Sequence, residues 1–276
     1  MGKIWSLLFL LVPVLGVGLF VVAADAESWP IYDHWFPEDV SKYGHIIDGL
    51  FMAILWLTGI VFIGTEVALV WFLWRYDSAT NRDGVKFTHG NHALEVVWSV
   101  LPAAILLFIA IYQMNAWADT KVREPGEPGL TVEVTARQFE WRIRYYGPDG
   151  KPDTRDDIYT VNDLHVPADE DVLVELKSAD VLHSFFLPNL RVKQDAVPGM
   201  KIPVWFRAVK EGQYDLVCAE LCGWGHYKMK GRLTVMPRET EVGEDGNIVR
   251  EGFDDWLERM AGEQSRATTD VAGGAK

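Results

Sequence analysis

Three long apolar stretches dominate the first 117 positions, and beyond them the chain changes to short apolar runs that alternate with polar residues. The first stretch, "IWSLLFLLVPVLGVGLFVVAA", follows Lys3 and leads into Ala24-Asp25-Ala26 and Glu27. A basic start, an apolar middle and a small-residue site describe a secretory signal peptide, while the length also suits a membrane span. Residues 1–26 are therefore read as a signal peptide or a first span, and either reading puts Glu27 outside the cytoplasm.

Residues 27–117 hold the other two stretches, expected as spans over about 49–76 ("GLFMAILWLTGIVFIGTEVALVWFLWRY") and 93–117 ("ALEVVWSVLPAAILLFIAIYQMNAW"). Each is long enough to cross a bilayer, and Trp71, Trp74, Trp98 and Trp117 fall where indole rings favour the lipid–water boundary. The short connection carries Arg75, Arg82 and Lys86, so the positive-inside rule places it in the cytoplasm and everything after Trp117 outside. Pro102 is tolerated where a neighbouring helix satisfies the freed carbonyl. Glu66 and Glu95 interrupt the spans, and an acid at membrane depth faces a partner or a proton path. Glu95 also fits a solvated acid at a helix start, and both readings stand.

Residues 118–129, with "TKVREPGEPG", read as a linker. Residues 130–237 form the outer domain. "LTVEVTARQFEWRIRYY" alternates, and "DVLVELKS", "MKIPVWFRAV", "GQYDLVCAE" and "GRLTVMP" are further β-rich runs, about eight short strands in all, which predicts a sandwich or barrel. The polar insertion 147–157 sits at a hairpin, and its acidic spacing is an incomplete calcium loop. Residues 238–276 read as a short helix over "FDDWLERMAGEQ" and a disordered tail over "SRATTDVAGGAK".

The formal net charge of −13 argues against a nucleic-acid partner. It suits either solubility or a basic docking partner. The distinctive chemistry is "CAELCGWGHYKM" (218–229), which confines both cysteines of the chain to five positions. Cys218, Cys222, His226 and Met229 follow one another at intervals of four, four and three. A disulfide or one buried helix face would explain part of this pattern. Gly223 and Gly225 weaken the helical version, and a disulfide leaves His226 and Met229 without a role.

A metal uses all four residues. Thiolate with thioether selects copper over zinc, and two cysteines are too few for an iron–sulfur cluster. Two thiolates suggest sulfur bridges between two copper ions, each of which then needs an imidazole. His226 supplies one. His183, in "SADVLHSFFLPNL", is the candidate for the other, with His165 in "DLHVPAD" as a competitor that looks structural.

Three stretches, "FTHGNHALEVVWSVLPA", "DVLHSFFLPNLRVKQDAVPG" and "CAELCGWGHYKM", resemble in sequence and order subunit II of the haem–copper cytochrome c oxidases, which carries the dinuclear CuA centre. The resemblance runs from about Gly49 to Pro237. It implies a membrane α-helical hairpin followed by a cupredoxin-like Greek-key β-barrel. It also implies that Cys218 and Cys222 bridge two coppers, with His183 and His226 as imidazole ligands, Met229 as thioether and Glu220 as carbonyl ligand. The Glu220 side chain would reach a magnesium shared with subunit I, and Glu95 would stand at the mouth of a proton pathway.

The implied activity is acceptance of electrons from cytochrome c or another one-electron donor, and their transfer to haem in subunit I. Oxygen is reduced there and protons are pumped. The implied partners are subunit I, subunit III and membrane lipid. The implied place is a bacterial inner membrane, with the copper domain on the periplasmic side. Two positions depart from the family. Its Q-W-x-W is Gln138-Phe139-Glu140-Trp141 here, which leaves electron acceptance to Phe139, Trp141 or another ring. Met200 stands where the family has Arg, removing a charge-assisted contact. Three rivals share some features: a quinol-oxidase subunit II, which lacks the copper ligands, a copper-delivery protein with one anchor, and nitrous oxide reductase, which lacks the hairpin.

Overall fold

The computed structural model describes residues 2–25, 37–77, 87, 89–147, 150–243, 245 and 247–273. Expectations resting on Ala26, Glu27, Arg82, Lys86 and residues 274–276 lie outside the described residues. The chain divides into a helical unit (Met1–Pro37 and Asp48–Asn115) and an outer unit (Glu38–Ile47 and Ala116–Lys276).

Three long helices supply the spans: α1 (Gly2–Asp25), α2 (Gly44–Arg75) and α3 (His92–Tyr112). The apolar windows Ile4–Val22, Gly44–Arg75 and His92–Tyr112 have mean hydropathies of 2.5, 2.3 and 2.4, and each is long enough to cross a bilayer. Their large side chains are exposed on all faces, as lipid-facing helices require. The second span starts earlier than the sequence suggested, at Gly44, because "GHIID" continues the helix before the apolar run.

The third span ends earlier, at Tyr112. Gln113 closes it by donating its backbone N–H to Ile109 O at 3.0 Å. A separate helix, α4 (Met114–Lys121), then occupies the first residues of the expected linker. Its sequence is polar rather than apolar, and Lys121 in the last turn complements the helix dipole. At the start of α3, the Asn91 side chain accepts hydrogen bonds from the N–H groups of Ala93 (3.1 Å) and Leu94 (3.3 Å). Glu95 lies in the same first turn, 3.8 Å from His92 Nδ1.

The outer unit is built on two five-stranded sheets. One has the order β3-β2-β1-β5-β8 and the other β4-β10-β9-β6-β7. The first contains β1 (Leu130–Arg137), β2 (Glu140–Tyr145), β3 (Ile158–Val161), β5 (Asp171–Ser178) and β8 (Ile202–Arg207). The second contains β4 (Asp163–Pro167), β6 (His183–Leu187), β7 (Val192–Ala196), β9 (Gly212–Cys218) and β10 (Lys230–Met236). The chain passes repeatedly from one sheet to the other, so β1·β5 and β4·β10 pair in parallel while the hairpins pair antiparallel.

Ten strands replace the expected eight in these sheets. The apparent single run 130–146 is a hairpin with Arg137 opposite Glu140. Its buried positions step from even (Val132, Val134, Ala136) to odd (Trp141, Ile143, Tyr145) across the turn Gln138-Phe139. The peptide between those two turn residues is cis. Inward residues from both sheets, among them Val174, Leu176, Leu164, Phe185, Leu216 and Leu233, complete one core.

Both edges of the first sheet are covered. Beside β8, Val40 is fully buried, and the segment before α2 pairs with the strand's end: Lys42 N donates to Arg207 O at 3.0 Å and Val209 N to Val40 O at 2.8 Å. Beside β3, Gln264 accepts from Tyr159 N (3.2 Å) and donates to Tyr159 O (2.8 Å). Gln264 belongs to α5 (Phe253–Gly273), which runs on through most of the segment expected as a disordered tail. Asp254 and Asp255 suit its N-terminus, and Phe253 and Trp256 are buried against Tyr145 and His165, which anchors the helix. A small hairpin, β11 (Glu241–Val242) with β12 (Ile248–Arg250), precedes it.

The incomplete calcium loop has a different use. Asp153 and Asp157 both contact Arg144, Asp157 at 3.5 Å, and Asp157 Oδ2 accepts from Asp153 N at 2.8 Å. Arg144 is itself buried and paired with Glu133 at 2.8 Å. The acids therefore compensate a buried guanidinium.

Candidate metal centre

Strand β9 ends at Cys218 and β6 begins at His183, and the two strands are neighbours, with Phe185 opposite Cys218. That pairing carries His183 from a distant part of the chain to the cysteine loop. The loop is then tied back at both ends. Ala219 N donates to Ser184 O at 3.0 Å, Cys218 N to Met229 O at 3.2 Å, and Met229 N to His226 O at 3.1 Å. A 3-10 turn over His226–Lys228 brings Met229 beneath the cysteines.

The result is a compact donor set. Ligand atoms of His183, Cys218 and Cys222 lie within 4.8 Å of one another. The two Sγ atoms are 3.9 Å apart and both thiols are free. Cys222 Sγ is 3.7 Å from His226 Nδ1 and 3.9 Å from Met229 Sδ. Cys218 Sγ is 3.2 Å from the carbonyl oxygen of Glu220. His183, Cys218, Cys222 and Met229 are all buried, and His226 is half-buried.

His183 carries the most direct sign of a missing partner. Its Nε2 lies 2.8 Å from Asp180 Oδ1, while its fully buried Nδ1 has no hydrogen-bond partner. A buried polar nitrogen is normally satisfied, and this one belongs to the ring grouped with the two sulfurs. Two thiolates, two imidazoles and a thioether form a soft donor set of the kind copper takes. The residues fit the metal.

The electrostatics divide the two thiols. Burial opposes ionisation of Cys218, but the His183 ring, the Ser184 and Glu220 backbone and His226 outweigh it and bring its pKa to about 6. Burial and then the charge of Cys218 push Cys222 up to about 11. The protons leave this pair in two steps that belong to both groups. Asp180 sits below the usual carboxylate range: burial opposes this, but the N–H of Gln138 and the His183 ring favour its charge.

Several residues framing the site were not singled out from the sequence. Asp180 fixes the His183 ring and accepts from Gln138 N at 2.7 Å. Gln138 Nε2 in turn donates to Cys222 O at 2.6 Å. The pattern Asp-x-x-His before β6 is the sequence signal for the first of these. Gly223 has φ +131°, and a Cβ there would stand 2.8 Å from Gln138 Nε2. At Gly225 a Cβ would come within 2.5 Å of the Phe139 ring. The two glycines thus let the β1–β2 turn close over the loop.

Trp141 is fully buried, with its ring centroid 6.3 Å from that of His183. It has no surface to offer a docking protein. Phe139 is half-buried and packs edge-on against Trp224, at 5.3 Å and 69°. His165 lies outside the cluster, stacked on Trp256 at 4.1 Å, so it does not compete for the metal. Glu95 belongs to the helical unit. Met200 is exposed.

The chain matches two family models: "Cytochrome C oxidase subunit II, transmembrane domain" over residues 26–116, and "Cytochrome C oxidase subunit II, periplasmic domain" over residues 151–235. It is 30% identical over 250 residues to cytochrome c oxidase subunit 2 of Cereibacter sphaeroides, covering 79% of this chain and 76% of that one. It is 28% identical over 239 residues to the alternative cytochrome c oxidase subunit 2 of Bradyrhizobium diazoefficiens, covering 79% and 85%. Among solved structures, it is similar to the periplasmic domain of subunit II of cytochrome oxidase of Bradyrhizobium japonicum, with 27% identity and a TM-score of 0.40 over 50% of this chain and 96% of that one. With membrane and periplasmic parts both matched and the relatives covered over most of their length, the chain belongs to the cytochrome c oxidase subunit II family, a membrane component of an oxidoreductase complex.

Proposed function

We propose that this chain is the electron-accepting subunit of its oxidase, and that Cys218, Cys222, His183, His226, Met229 and the Glu220 carbonyl hold a dinuclear copper centre. The unpartnered, fully buried Nδ1 of His183 beside two free thiols carries this reading. When bound, the copper pair would supply one-electron redox chemistry between cytochrome c or another one-electron donor and the haem of subunit I.

The chain's own residues keep that exchange undemanding. Cys218 is fixed at the end of β9 by its backbone bond to Met229 and by that of Ala219 to Ser184 in β6, and Cys222 is held through its carbonyl by Gln138 Nε2. Asp180 holds the His183 ring. Burial of four of the ligand side chains excludes water. A rigid, dry donor set changes little in geometry when its charge changes by one electron, and this keeps transfer fast.

The Glu220 side chain, half-buried beside the loop, is proposed to reach a magnesium shared with subunit I. Glu95, in the first turn of α3 and about half exposed, is proposed to stand at the entrance of a proton path. Subunits I and III are the proposed neighbours. A bacterial inner membrane is the proposed location, with the outer unit on the periplasmic side.

The test is assembly with and without the sulfur ligands. Tagged wild-type chain should co-purify a haem-bearing subunit and support oxygen uptake with reduced cytochrome c. Cys218→Ser and Cys222→Ser should still co-purify that subunit, with turnover lost. Normal turnover in either variant would overturn the reading.

A further inference from the structure

Strand β2 lies in the first sheet, while His183 and Cys218 belong to strands of the second. Trp141, on β2, is the ring that the first sheet sets against the ligand set. It is fully buried, and its centroid lies 6.3 Å from that of His183 at 61° and 5.6 Å from that of Phe185 at 85°. Such edge-on contacts are a favourable geometry for aromatic rings. The backbone that carries the indole is clamped. Trp141 N donates to Asn162 Oδ1 at 2.8 Å, Asn162 N donates to Trp141 O at 2.8 Å, and Arg232 N of β10 donates to Asn162 O at 2.8 Å. Both sheets therefore hold this ring in place.

Its indole Nε1 is buried and has no hydrogen-bond partner among the described residues. A buried donor left unpaired is a cost to folding, so the fold alone would be served as well by a phenylalanine. What the ring provides is a wall. Asp180 holds His183 at Nε2, and the indole closes a second side of the same imidazole. Phe185, opposite Cys218 in the neighbouring strand and itself fully buried, continues that wall. On its inner side the ligand set thus meets apolar rings rather than water.

We infer that Trp141 is a positioning residue for the proposed copper centre: it holds the His183 ring, keeps its surroundings dry and thereby raises the reduction potential of the copper pair. The inference rests on the copper reading above. Two thiolates bring two negative charges, which two cuprous ions neutralise, and the pair with one electron fewer carries a net positive charge. A dry, apolar surrounding disfavours that charged state. Uptake of one electron from the donor discharges the site, with no bond made or broken and no proton moved.

The test is a redox titration of the copper-loaded full-length chain in detergent, followed by EPR, in wild type, Trp141→Phe and Trp141→Gln. Phenylalanine keeps an apolar ring beside His183 and should leave the spectrum and the potential near those of the wild type. Glutamine sets an amide there. The equilibrium constant for reduction by a given donor should then fall about tenfold, which is about 59 mV for one electron, with circular dichroism unchanged. An unchanged potential in folded Trp141→Gln would overturn the inference. Pulsed EPR of the wild-type chain in water enriched in oxygen-17 needs no variant: no coupled water oxygen is expected, and a coupled one would show that the wall is not dry. A wild-type chain that retains no copper would sink the copper reading alone. Alkylation of the reduced Cys218 and Cys222 by iodoacetamide in the metal-free chain still decides the wall. The account expects a rate about tenfold higher in Trp141→Gln than in wild type, and equal rates would remove the wall.

Discussion

Asp180 Oδ1 lies 2.8 Å from Nε2 of His183, and this one contact leaves the opposite ring nitrogen with a buried, unpartnered lone pair beside the thiols. A carboxylate on the far nitrogen fixes the tautomer and ring orientation of a metal-binding histidine. Asp180→Asn should weaken copper binding by about 10–100-fold while the barrel stays folded. Competition with a copper chelator, run beside circular dichroism, measures both. Unchanged copper retention would show that the contact does not hold the ring.

Gly225 is the steric gate between the loop and the β1–β2 turn, because a Cβ there would come within 2.5 Å of the Phe139 ring. Gly225→Ala should destabilise the outer unit by about 1–3 kcal/mol through overpacking. Adding Phe139→Ala should recover part of that loss, since it removes the ring against which the new Cβ clashes. Denaturant unfolding of the single and double variants is the check, and strict additivity would place the strain elsewhere.

Trp256 stacks on His165 at 4.1 Å and meets Tyr145 edge-on at 5.3 Å. Trp256→Ala should cost about 3–5 kcal/mol of barrel stability. No proposed copper ligand is among those ring contacts, so the copper spectrum of the folded fraction should not change. Thermal unfolding and EPR of the same sample separate the two effects.

Acid should weaken the barrel partly through Glu175. Its burial would raise its pKa, but Lys201 at 2.5 Å, the donated hydroxyl of Tyr146 and the charge of Lys177 outweigh that and lower it. A depressed carboxylate contributes stability that is complete above its unfolded pKa of about 4.3. The contribution is lost as pH falls through the lower folded value. The thermal midpoint should therefore drop on acidification below about pH 4, with a shallower drop in Glu175→Gln. Identical pH profiles for the two chains would remove Glu175 from the account.

The spans and the copper motif were legible because they are local. An apolar run of bilayer length needs no tertiary context, and five of the six proposed ligands fall within "CAELCGWGHYKM". His183 was reachable because a second copper ion would need a second imidazole. The β1–β2 hairpin was less visible, since Gln138-Phe139 has no glycine or asparagine to mark a turn. Its signal was the step of buried positions from even to odd. Gln138 reaches Asp180 and the Cys222 carbonyl only because the two sheets bring their loops together, and no spacing along the chain encodes that. The C-terminal helix was underestimated because its stability comes from Phe253 and Trp256 docking on the barrel.

The most direct test is copper counting with EPR on the copper-loaded full-length chain in detergent. The account predicts two coppers retained per chain and hyperfine splitting from two equivalent copper nuclei. One copper with a single-ion pattern, or none with Cys218 and Cys222 joined as a disulfide, would contradict it.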